Sequence, residues 1–354
     1  MPRITHLESR PLDVALSEPF GIAGGAQLVA ENLLVEVGLE GGALGIGEAA
    51  PFPAFNGETR ADTERALAAA RERLIGLEAS TWRAASRVAN GLLHAAPSAL
   101  CAFETALLDA FTRSIGLSLF AFFGGAEPEL VSDITLTTGS PEQAEVQAAR
   151  AHARGFRTLK AKVGGAPLTH DLERLSRAAA VAPDASFILD ANASLRPEEA
   201  IRLVRALGSL RDRVVLFEQP TEAKNLNGMR AVRESGVRVA ADESATTLAD
   251  LERLIEAEAA DVVNVKIMKS GVVNALDMAY GAKAAGLDLM IGGLVETRLA
   301  MSMSACLAGG VGGFSFVDLD TPLFIAEDPF KGGFADDWPK LGLGAIERGH
   351  GVLY

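Results

Sequence analysis

Charged residues recur at regular intervals through the second half of the sequence, each at the end of a predicted strand. They are Lys162, Asp190, Glu218, Asp242 and Lys266, followed by the pair Asp318 and Asp320. Successive positions up to Lys266 lie 24 to 28 residues apart, and the step to Asp318 is 52 residues, or two such intervals. One interval is the length of a strand–helix unit, so we expect these side chains to form a ring at one height.

Three of these positions are carboxylates that end consecutive predicted strands, namely Asp190, Glu218 and Asp242. Carboxylates placed so close together repel one another unless a cation lies between them. Oxygen ligands without histidine or cysteine favour Mg²⁺ or Mn²⁺. Each acid could instead cap a helix or pair with an arginine, but their occurrence on three consecutive strands favours a metal site.

Two lysines lie close together on the second predicted strand, where one of them could act as a base. Only 8 of the 33 basic residues are lysines, yet Lys160 and Lys162 occupy the same side of one strand. In a barrel that side is the interior, where an ammonium group is costly to bury. We predict that Lys160 and the metal lower the pKa of Lys162, which makes it a usable base. An exposed pair on a tilted strand is the alternative.

Lys266 ends the sixth predicted strand, and Lys162 ends the second. In a ring of eight strands these two positions lie on opposite walls. The pair could remove a proton from one face of a carbon atom and return it to the other face, while the metal stabilises an enediolate. The five histidines all lie outside the ring, so histidine is a poor candidate for the base.

A barrel is the element pattern that would position this ring. Eight β-rich runs alternate with helical segments, which predicts a (β/α)₈-type TIM barrel whose last unit could lack a helix. The runs are 134–137, 158–163, 187–191, 214–218, 237–241, 262–268, 287–292 and 314–320. A doubly wound open sheet is the alternative. We expect an α+β capping domain over residues 1–125, the barrel over 126–322, and a segment 323–354 that returns to the capping domain.

Composition excludes several classes of protein. The 354 residues carry a net charge of −13, which disfavours a nucleic-acid partner or an anionic membrane. The two cysteines, the absence of a leader pattern and the lack of an apolar run of spanning length predict a soluble cytoplasmic protein. Gly45–Ala50 matches a dinucleotide fingerprint by letters, but Pro51 and Pro53 prevent the helix it needs. For the Gly-rich stretch 292–313 we predict close packing and a mobile loop.

The motifs together resemble the enolase superfamily, in its muconate-lactonizing-enzyme-like branch. They are Lys160-Ala161-Lys162, Asp190-Ala191-Asn192, Glu218-Gln219-Pro220, Asp242-Glu243-Ser244 and Asn264-Val265-Lys266. The resemblance implies a lysine base acting with Mg²⁺, for which Mn²⁺ could substitute. It implies that Lys162 and Lys266 exchange acid and base roles while Lys160 orients the substrate carboxylate. We also expect a homo-oligomer.

Within that branch, Asp318-Leu319-Asp320 resembles the Asp-x-Asp motif of dipeptide epimerases. The resemblance implies that this pair binds the free ammonium of an L-Ala-L-Xaa-like dipeptide and that the enzyme inverts the C-terminal residue. A pair of solvated acids is the alternative interpretation. Thr135, Gly293 and Val295 match the family's substrate-lining positions.

One position departs from the pattern of the epimerases that act on Ala-Glu. Those enzymes carry an arginine in the early capping loop, and Gly25 occupies that place here. The second capping loop reads Pro51-Phe52-Pro53-Ala54-Phe55-Asn56. We therefore expect a neutral or apolar second residue. N-acylamino-acid racemase, o-succinylbenzoate synthase and cycloisomerase activities remain alternatives, as does a non-catalytic barrel that acts as a binding module.

Overall fold

The N-terminal part combines an antiparallel sheet with a layer of helices. The computed structural model describes the backbone of residues 2–22 and 25–354, and the side chains of residues 2–17 and 28–354. Strands β1 (Ile4–Ile22), β2 (Gly25–Leu39) and β3 (Leu44–Ala49) form a three-stranded sheet in that order. The helices that follow are α1 (Pro53–Asn56), α2 (Arg60–Leu74), α3 (Trp82–Leu93), α4 (Pro97–Ser114) and α5 (Leu119–Phe122), with a 3₁₀ turn at Ala79–Thr81.

Two glycines of β3 allow the sheet to approach α4 closely. A Cβ atom on Gly45 would lie 2.2 Å from the carbonyl oxygen of Ala106, and one on Gly47 would lie 2.1 Å from that of Ala102. Neither position could hold a larger residue without moving the helix. The glycines that match the dinucleotide fingerprint therefore serve the packing of β3 against α4.

Eight parallel strands follow, and their order in the sheet is their order along the chain. After a short strand β4 (Glu129–Val131) come β5 (Ile134–Leu136), β6 (Thr158–Lys162), β7 (Ser186–Asp190), β8 (Val214–Glu218), β9 (Val239–Ala241), β10 (Val262–Val265), β11 (Asp288–Ile291) and β12 (Phe314–Val317). The connecting helices are α6 (Pro141–Ala153), α7 (Leu168–Val181), α8 (Pro197–Ala206), α9 (Leu226–Glu234), α10 (Leu248–Glu256), α11 (Ile267–Ser270), α12 (Val272–Ala284) and α13 (Arg298–Val311). A 3₁₀ segment, Gly208–Arg213, precedes β8.

The curled sheet brings its first and last strands together. The backbone N–H of Asp133, just before β5, donates to the carbonyl of Val317 at the end of β12 over 2.7 Å. A doubly wound sheet would reverse its strand order at a switch point, which this sheet does not do. The barrel prediction is confirmed. Among the described residues a 3₁₀ turn, Thr321–Phe324, and no α-helix follows β12, so the last unit lacks the helix whose presence the sequence pattern left open.

The Gly-rich stretch after β11 folds differently from one of our expectations. It forms α13, and every residue from Leu299 to Val311 is buried. A Cβ atom on Gly310 would lie 2.4 Å from the Cβ of Phe123. The prediction of close packing is confirmed, whereas the prediction of a mobile loop is wrong because this helix lies inside the protein.

The C-terminal segment forms short strands, and one of its residues bridges to β1. Strand β13 (Lys331–Gly332) pairs with β16 (Val352–Leu353), and β14 (Ala335–Asp337) and β15 (Lys340–Gly342) extend β4. Leu16 of β1 forms an isolated bridge with Ile325. None of the helices in the described ranges is both long and apolar enough to cross a membrane.

Candidate active site

The strand register places the predicted residues at one level of the barrel. Lys162 is the register partner of Asp190, which in turn is the partner of Glu218 on β8. Glu218 is in turn the register partner of Ala240 on β9. Asp242 directly follows the last residue of β9 and therefore lies close to the same level. These residues are buried, as expected for the inner wall of a barrel mouth.

The two lysines of β6 point into this mouth. Lys160 is 2% exposed and Lys162 is 8% exposed, so the alternative of a surface pair is wrong. The Nζ atom of Lys160 lies 2.7 Å from Glu218 Oε2, 2.7 Å from Asp318 Oδ2 and 3.1 Å from Asp190 Oδ2. The Nζ atom of Lys162 donates to Asp190 Oδ2 over 2.7 Å.

Asp242 has two lysine partners, one of which the sequence analysis did not single out. Lys266 Nζ donates to Asp242 Oδ2 over 2.7 Å. Lys269 Nζ lies 2.8 Å from Asp242 Oδ1, from the Asp242 carbonyl and from the Asn264 carbonyl. Lys269 belongs to the single turn α11 directly after Lys266. A second lysine three residues after the first, in a chain poor in lysine, was the available signal.

Charge pairing sets the ionisation of these groups. Burial alone would raise the pKa of Asp242, but Lys266 and Lys269 hold it below the usual range. Asp190 is held low in the same way by Lys162 and Lys160. Conversely, burial opposes protonation of Lys266, yet Asp242 and Glu218 raise the pKa of this lysine above its ordinary value. Asp190, Asp242 and Lys266 are therefore charged.

Glu218 differs from its two neighbours in charge balance. Burial and the charge of Asp190 raise its pKa to about 7, which outweighs the opposite effect of Lys160. Asn264 Nδ2 donates to its Oε1 over 2.8 Å. A bound cation stabilises the ionised form of a carboxylate whose pKa is raised by neighbouring acids.

The donor set of the three acids suits a hard divalent cation. It consists of carboxylate oxygens alone, which Mg²⁺ prefers. In this structure, however, Asp190 and Asp242 are turned toward lysines. Among the described residues, the three acids whose oxygen atoms converge within 4.8 Å are Asp133, Asp318 and Asp320 instead. The burial of three carboxylates at the ends of adjacent strands is thus the observation that fits Mg²⁺ to Asp190, Glu218 and Asp242.

Backbone turns at the strand ends support this arrangement. Gln219 has a φ of 34° and Asn192 a φ of 43°, which non-glycine residues seldom adopt. The Oε1 atom of Gln219 accepts hydrogen bonds from the N–H groups of Asp242 and Ser244 over 2.9 and 3.1 Å. Strained turns of this kind cluster at functional sites, where they fix side-chain directions.

Asp318 and Asp320 lie opposite the predicted metal ligands, beside β5. The N–H of Thr135 donates to Asp320 Oδ2 over 2.6 Å. Both acids are buried, so the alternative of a solvated pair is wrong. Asp133 joins them as a third acid that the sequence analysis missed. It precedes β5, whereas strand-end reasoning considers only the residues after each strand.

A small cavity of about 30 Å³ lies between the lysines and the pair Asp318 and Asp320. Its lining includes Lys160, Lys162, Lys266, Asp318, Asp320, Thr135 and Gly293, together with Phe52 and Phe55 from the capping domain. The predicted lining residue Val295 is buried away from it, and Leu294 lines the cavity instead. Gly25 belongs to segment 18–27, whose side chains lie outside the described part, so the specificity inferred from it stays a prediction.

The chain is similar over nearly its full length to enzymes of known name. It is 45% identical over 350 residues to the aromatic dipeptide epimerase of Herpetosiphon aurantiacus, covering 99% of this chain and 98% of that one. It is 35% identical to the L-Ala-D/L-Glu epimerase of Thermotoga maritima, covering 96% and 99%. The dipeptide epimerase of Enterococcus faecalis, solved with Mg and L-Leu-L-Tyr, superposes with a TM-score of 0.95 at 30% identity, covering 99% and 100%.

Family models match both parts of the chain. Residues 7–124 match the mandelate racemase/muconate lactonizing enzyme N-terminal domain, and residues 143–352 match the enolase C-terminal domain-like family. The first range holds the three-stranded sheet and α1 to α5, and the second holds the ring of lysines and acids. The chain belongs to the mandelate racemase/muconate lactonizing enzyme family of the enolase superfamily.

Proposed function

We propose that this protein is a Mg²⁺-dependent dipeptide epimerase that inverts the C-terminal residue of an L-Ala-L-Xaa-like dipeptide. It is an isomerase, as are the relatives named above. The observation that carries the proposal is the lining of one cavity by Lys162 and Lys266 together with the acids Asp318 and Asp320. A substrate with a carboxylate at one end and an ammonium at the other matches this distribution of charge.

Lys162 and Lys266 are the proposed acid and base. They come from β6 and from the end of β10, four strands apart in a ring of eight, so they face the substrate carbon from opposite sides. One lysine takes the α-proton and the other delivers a proton to the opposite face, and the roles exchange with the diastereomer. The intermediate is an enediolate of the substrate carboxyl group.

Asp190, Glu218 and Asp242 are the proposed ligands of Mg²⁺. When bound, the ion supplies positive charge that stabilises the enediolate and offsets the negative charge around the lysines. Lys160 contacts Glu218, Asp190 and Asp318, and therefore links the proposed metal ligands to the acid pair that lines the cavity. We assign it the orientation of the substrate carboxylate.

A neutral or apolar second residue is the proposed side-chain preference. Phe52 and Phe55 line the cavity, and the Phe55 ring centre lies 5.8 Å from Lys266 Nζ. Two phenyl rings near the reacting carbon favour an apolar substrate side chain over a glutamate. The H. aurantiacus relative, named as an aromatic dipeptide epimerase, supports an aromatic residue at this position.

The test compares turnover of L-Ala-L-Phe, L-Ala-L-Leu, L-Ala-L-Glu and N-acetyl-L-phenylalanine by chiral chromatography. We expect inversion of the first two dipeptides at higher kcat/KM than the others. We also expect the double variant Asp318→Asn/Asp320→Asn to lose the dipeptide reaction. The N-acylamino-acid racemase alternative would be favoured if activity is higher on N-acetyl-L-phenylalanine than on the dipeptides, and if the double variant keeps that activity. A clear preference for L-Ala-L-Glu would contradict the side-chain assignment.

Three further assignments accompany this proposal. The proposed capping domain spans residues 1–125, the barrel spans 126–322, and 323–354 returns to the capping domain.

A cytoplasmic location is also proposed, and it is supported by two cysteines, Cys101 and Cys306, that are buried and free. A homo-oligomer is also proposed, and size-exclusion chromatography with light scattering tests it.

A further inference from the structure

Asp133 is a buried acid with no hydrogen-bond partner among the described residues. It is 2% exposed, and neither of its carboxylate oxygens receives a hydrogen bond. Buried carboxylates in folded proteins are nearly always paired or hydrogen-bonded, because removing a charge from water is costly. An unpartnered acid at this depth therefore requires an explanation.

The neighbours of Asp133 are two other acids. One oxygen from each of Asp133, Asp318 and Asp320 lies within 4.8 Å of the others. A cation at the centre of such a triangle sits about 2.8 Å or less from each oxygen, which is an ordinary N–H···O distance. Asp318 and Asp320 also line the small cavity, so a substrate group can reach this cluster from there.

The nearby positive charge is too small to neutralise the cluster. Lys160 is the lysine closest to it, and of the three acids it contacts Asp318 alone, at 2.7 Å. The remaining contacts of its Nζ atom are with Glu218 and Asp190, two of the proposed metal ligands. Burial and the charges of Asp318 and Asp320 raise the pKa of Asp133. Added positive charge would relieve this repulsion.

We propose that Asp133, Asp318 and Asp320 form one three-carboxylate site for a primary ammonium group, and that Asp133 makes this end of the cavity selective for cationic substrates. The inference rests on the proposed function, which supplies the ammonium at the N-terminus of the dipeptide. Asp133 does not line the cavity, so it acts as a specificity-determining residue beneath the two acids that do. A substrate without the ammonium leaves three acids crowded around one lysine contact, and the site rejects it.

The test uses two substrates that differ only in the ammonium group. L-Ala-L-Phe and N-propionyl-L-phenylalanine have the same skeleton, and the second lacks the charge. Exchange of the α-proton with D₂O is followed for both by ¹H NMR, with Mg²⁺ saturating. If the uncharged analogue shows no exchange, its binding is compared instead, through its inhibition constant for the reaction of L-Ala-L-Phe.

Asp133→Asn keeps the shape of the side chain and removes its ability to ionise. We expect it to reduce the preference for L-Ala-L-Phe over the uncharged analogue at least tenfold, mainly through KM, with Mg²⁺ affinity unchanged. Glu104→Gln is the matched control, because Glu104 is also a buried acid but its carboxylate contacts Ser86 and Val273, outside the cavity. The control should affect both substrates equally. If Asp133→Asn does not fold, Asp133→Ser is measured in its place.

An unchanged preference in a folded Asp133 variant overturns the proposal, as does an equal loss for both substrates. Such a result leaves the dipeptide epimerase assignment standing if the unmodified protein still inverts L-Ala-L-Phe. Failure of the unmodified protein to act on any dipeptide, together with activity on N-acylated amino acids, overturns the proposed function itself. The two failures are therefore distinguishable.

Discussion

The buried acids at the two ends of the candidate active site differ in their ionisation. At the end formed by β7 to β9, Asp190 and Asp242 each have a lysine Nζ at 2.7 Å, and their pKa values are held low. At the other end, burial and Asp318 raise the pKa of Asp320 to about 7. Lysines thus keep Asp190 and Asp242 ionised, which is the form that binds a metal. The second end lacks the positive charge that an ammonium group would bring.

The largest expected effect comes from removing a lysine at the first end. Lys266→Met should lower the rate of epimerisation about 100- to 10,000-fold, because one of the two proton-transfer groups is lost. Deuterium should still enter the α position of one diastereomer, without inversion, through Lys162. Polarimetry measures the first quantity and ¹H NMR in D₂O the second.

Lys283→Met is a control for the loss of a lysine. Its Nζ donates to the carbonyls of Val311 and Gly312, outside the cavity. This variant should keep its activity. Inversion by Lys266→Met at the unmodified rate would contradict the two-base account.

A smaller effect is expected from Lys269, which contacts Asp242 but does not line the cavity. Lys269→Met should weaken Mg²⁺ binding about 10- to 100-fold, because residues that orient a metal ligand contribute to affinity by that amount. Titration calorimetry with Mg²⁺ measures this without turnover. Lys224→Met, at an exposed lysine, serves as the control. Equal Mg²⁺ affinity in both variants would mean that Lys269 has no such role.

The smallest effect on activity is expected for a buried acid that does not line the cavity and has no lysine partner among the described residues. Glu104 of α4 accepts hydrogen bonds from Ser86 Oγ and from the N–H of Val273, and burial raises its pKa to about 7. The unfolded chain ionises this group near pH 4.5, so the folded state holds the proton more tightly. Its contribution to stability is therefore present in acid and is lost as the pH rises from about 4.5 to 7.

Glu104→Gln removes that dependence. We expect the variant to gain stability relative to the unmodified protein between pH 5 and pH 8, by on the order of 1–3 kcal/mol. Urea unfolding at pH 5, 6, 7 and 8 measures the difference. A difference that stays constant with pH would contradict the raised pKa.

The sequence was sufficient to predict the ring because each barrel unit repeats at a nearly constant length. Lys162, Asp190 and Glu218 are consecutive register partners, as their spacing of 28 residues indicated. The ends of strands are also where barrel chemistry is found, so type and spacing together were informative. Helix α13 was harder to predict, because glycines that permit close helix packing also occur in mobile loops.

The residues that were missed depend on the closure of the barrel. Asp133 comes before its strand, and only the pairing of its N–H with Val317 brings it level with Asp318. No local pattern reports that stagger between the first and eighth strands. Lys269 depends on the turn of α11, which directs its ammonium back toward Asp242. Such contacts between distant strands cannot be read from spacing alone.

Dipeptide epimerisation is tested most directly by ¹H NMR of L-Ala-L-Phe with the protein and Mg²⁺ in D₂O. We expect deuterium to enter the α position of the phenylalanine residue as the L-Ala-D-Phe diastereomer accumulates, while the alanine α-proton is retained. Absence of exchange, with Mg²⁺ shown to be bound, would contradict the assignment of this protein as a dipeptide epimerase.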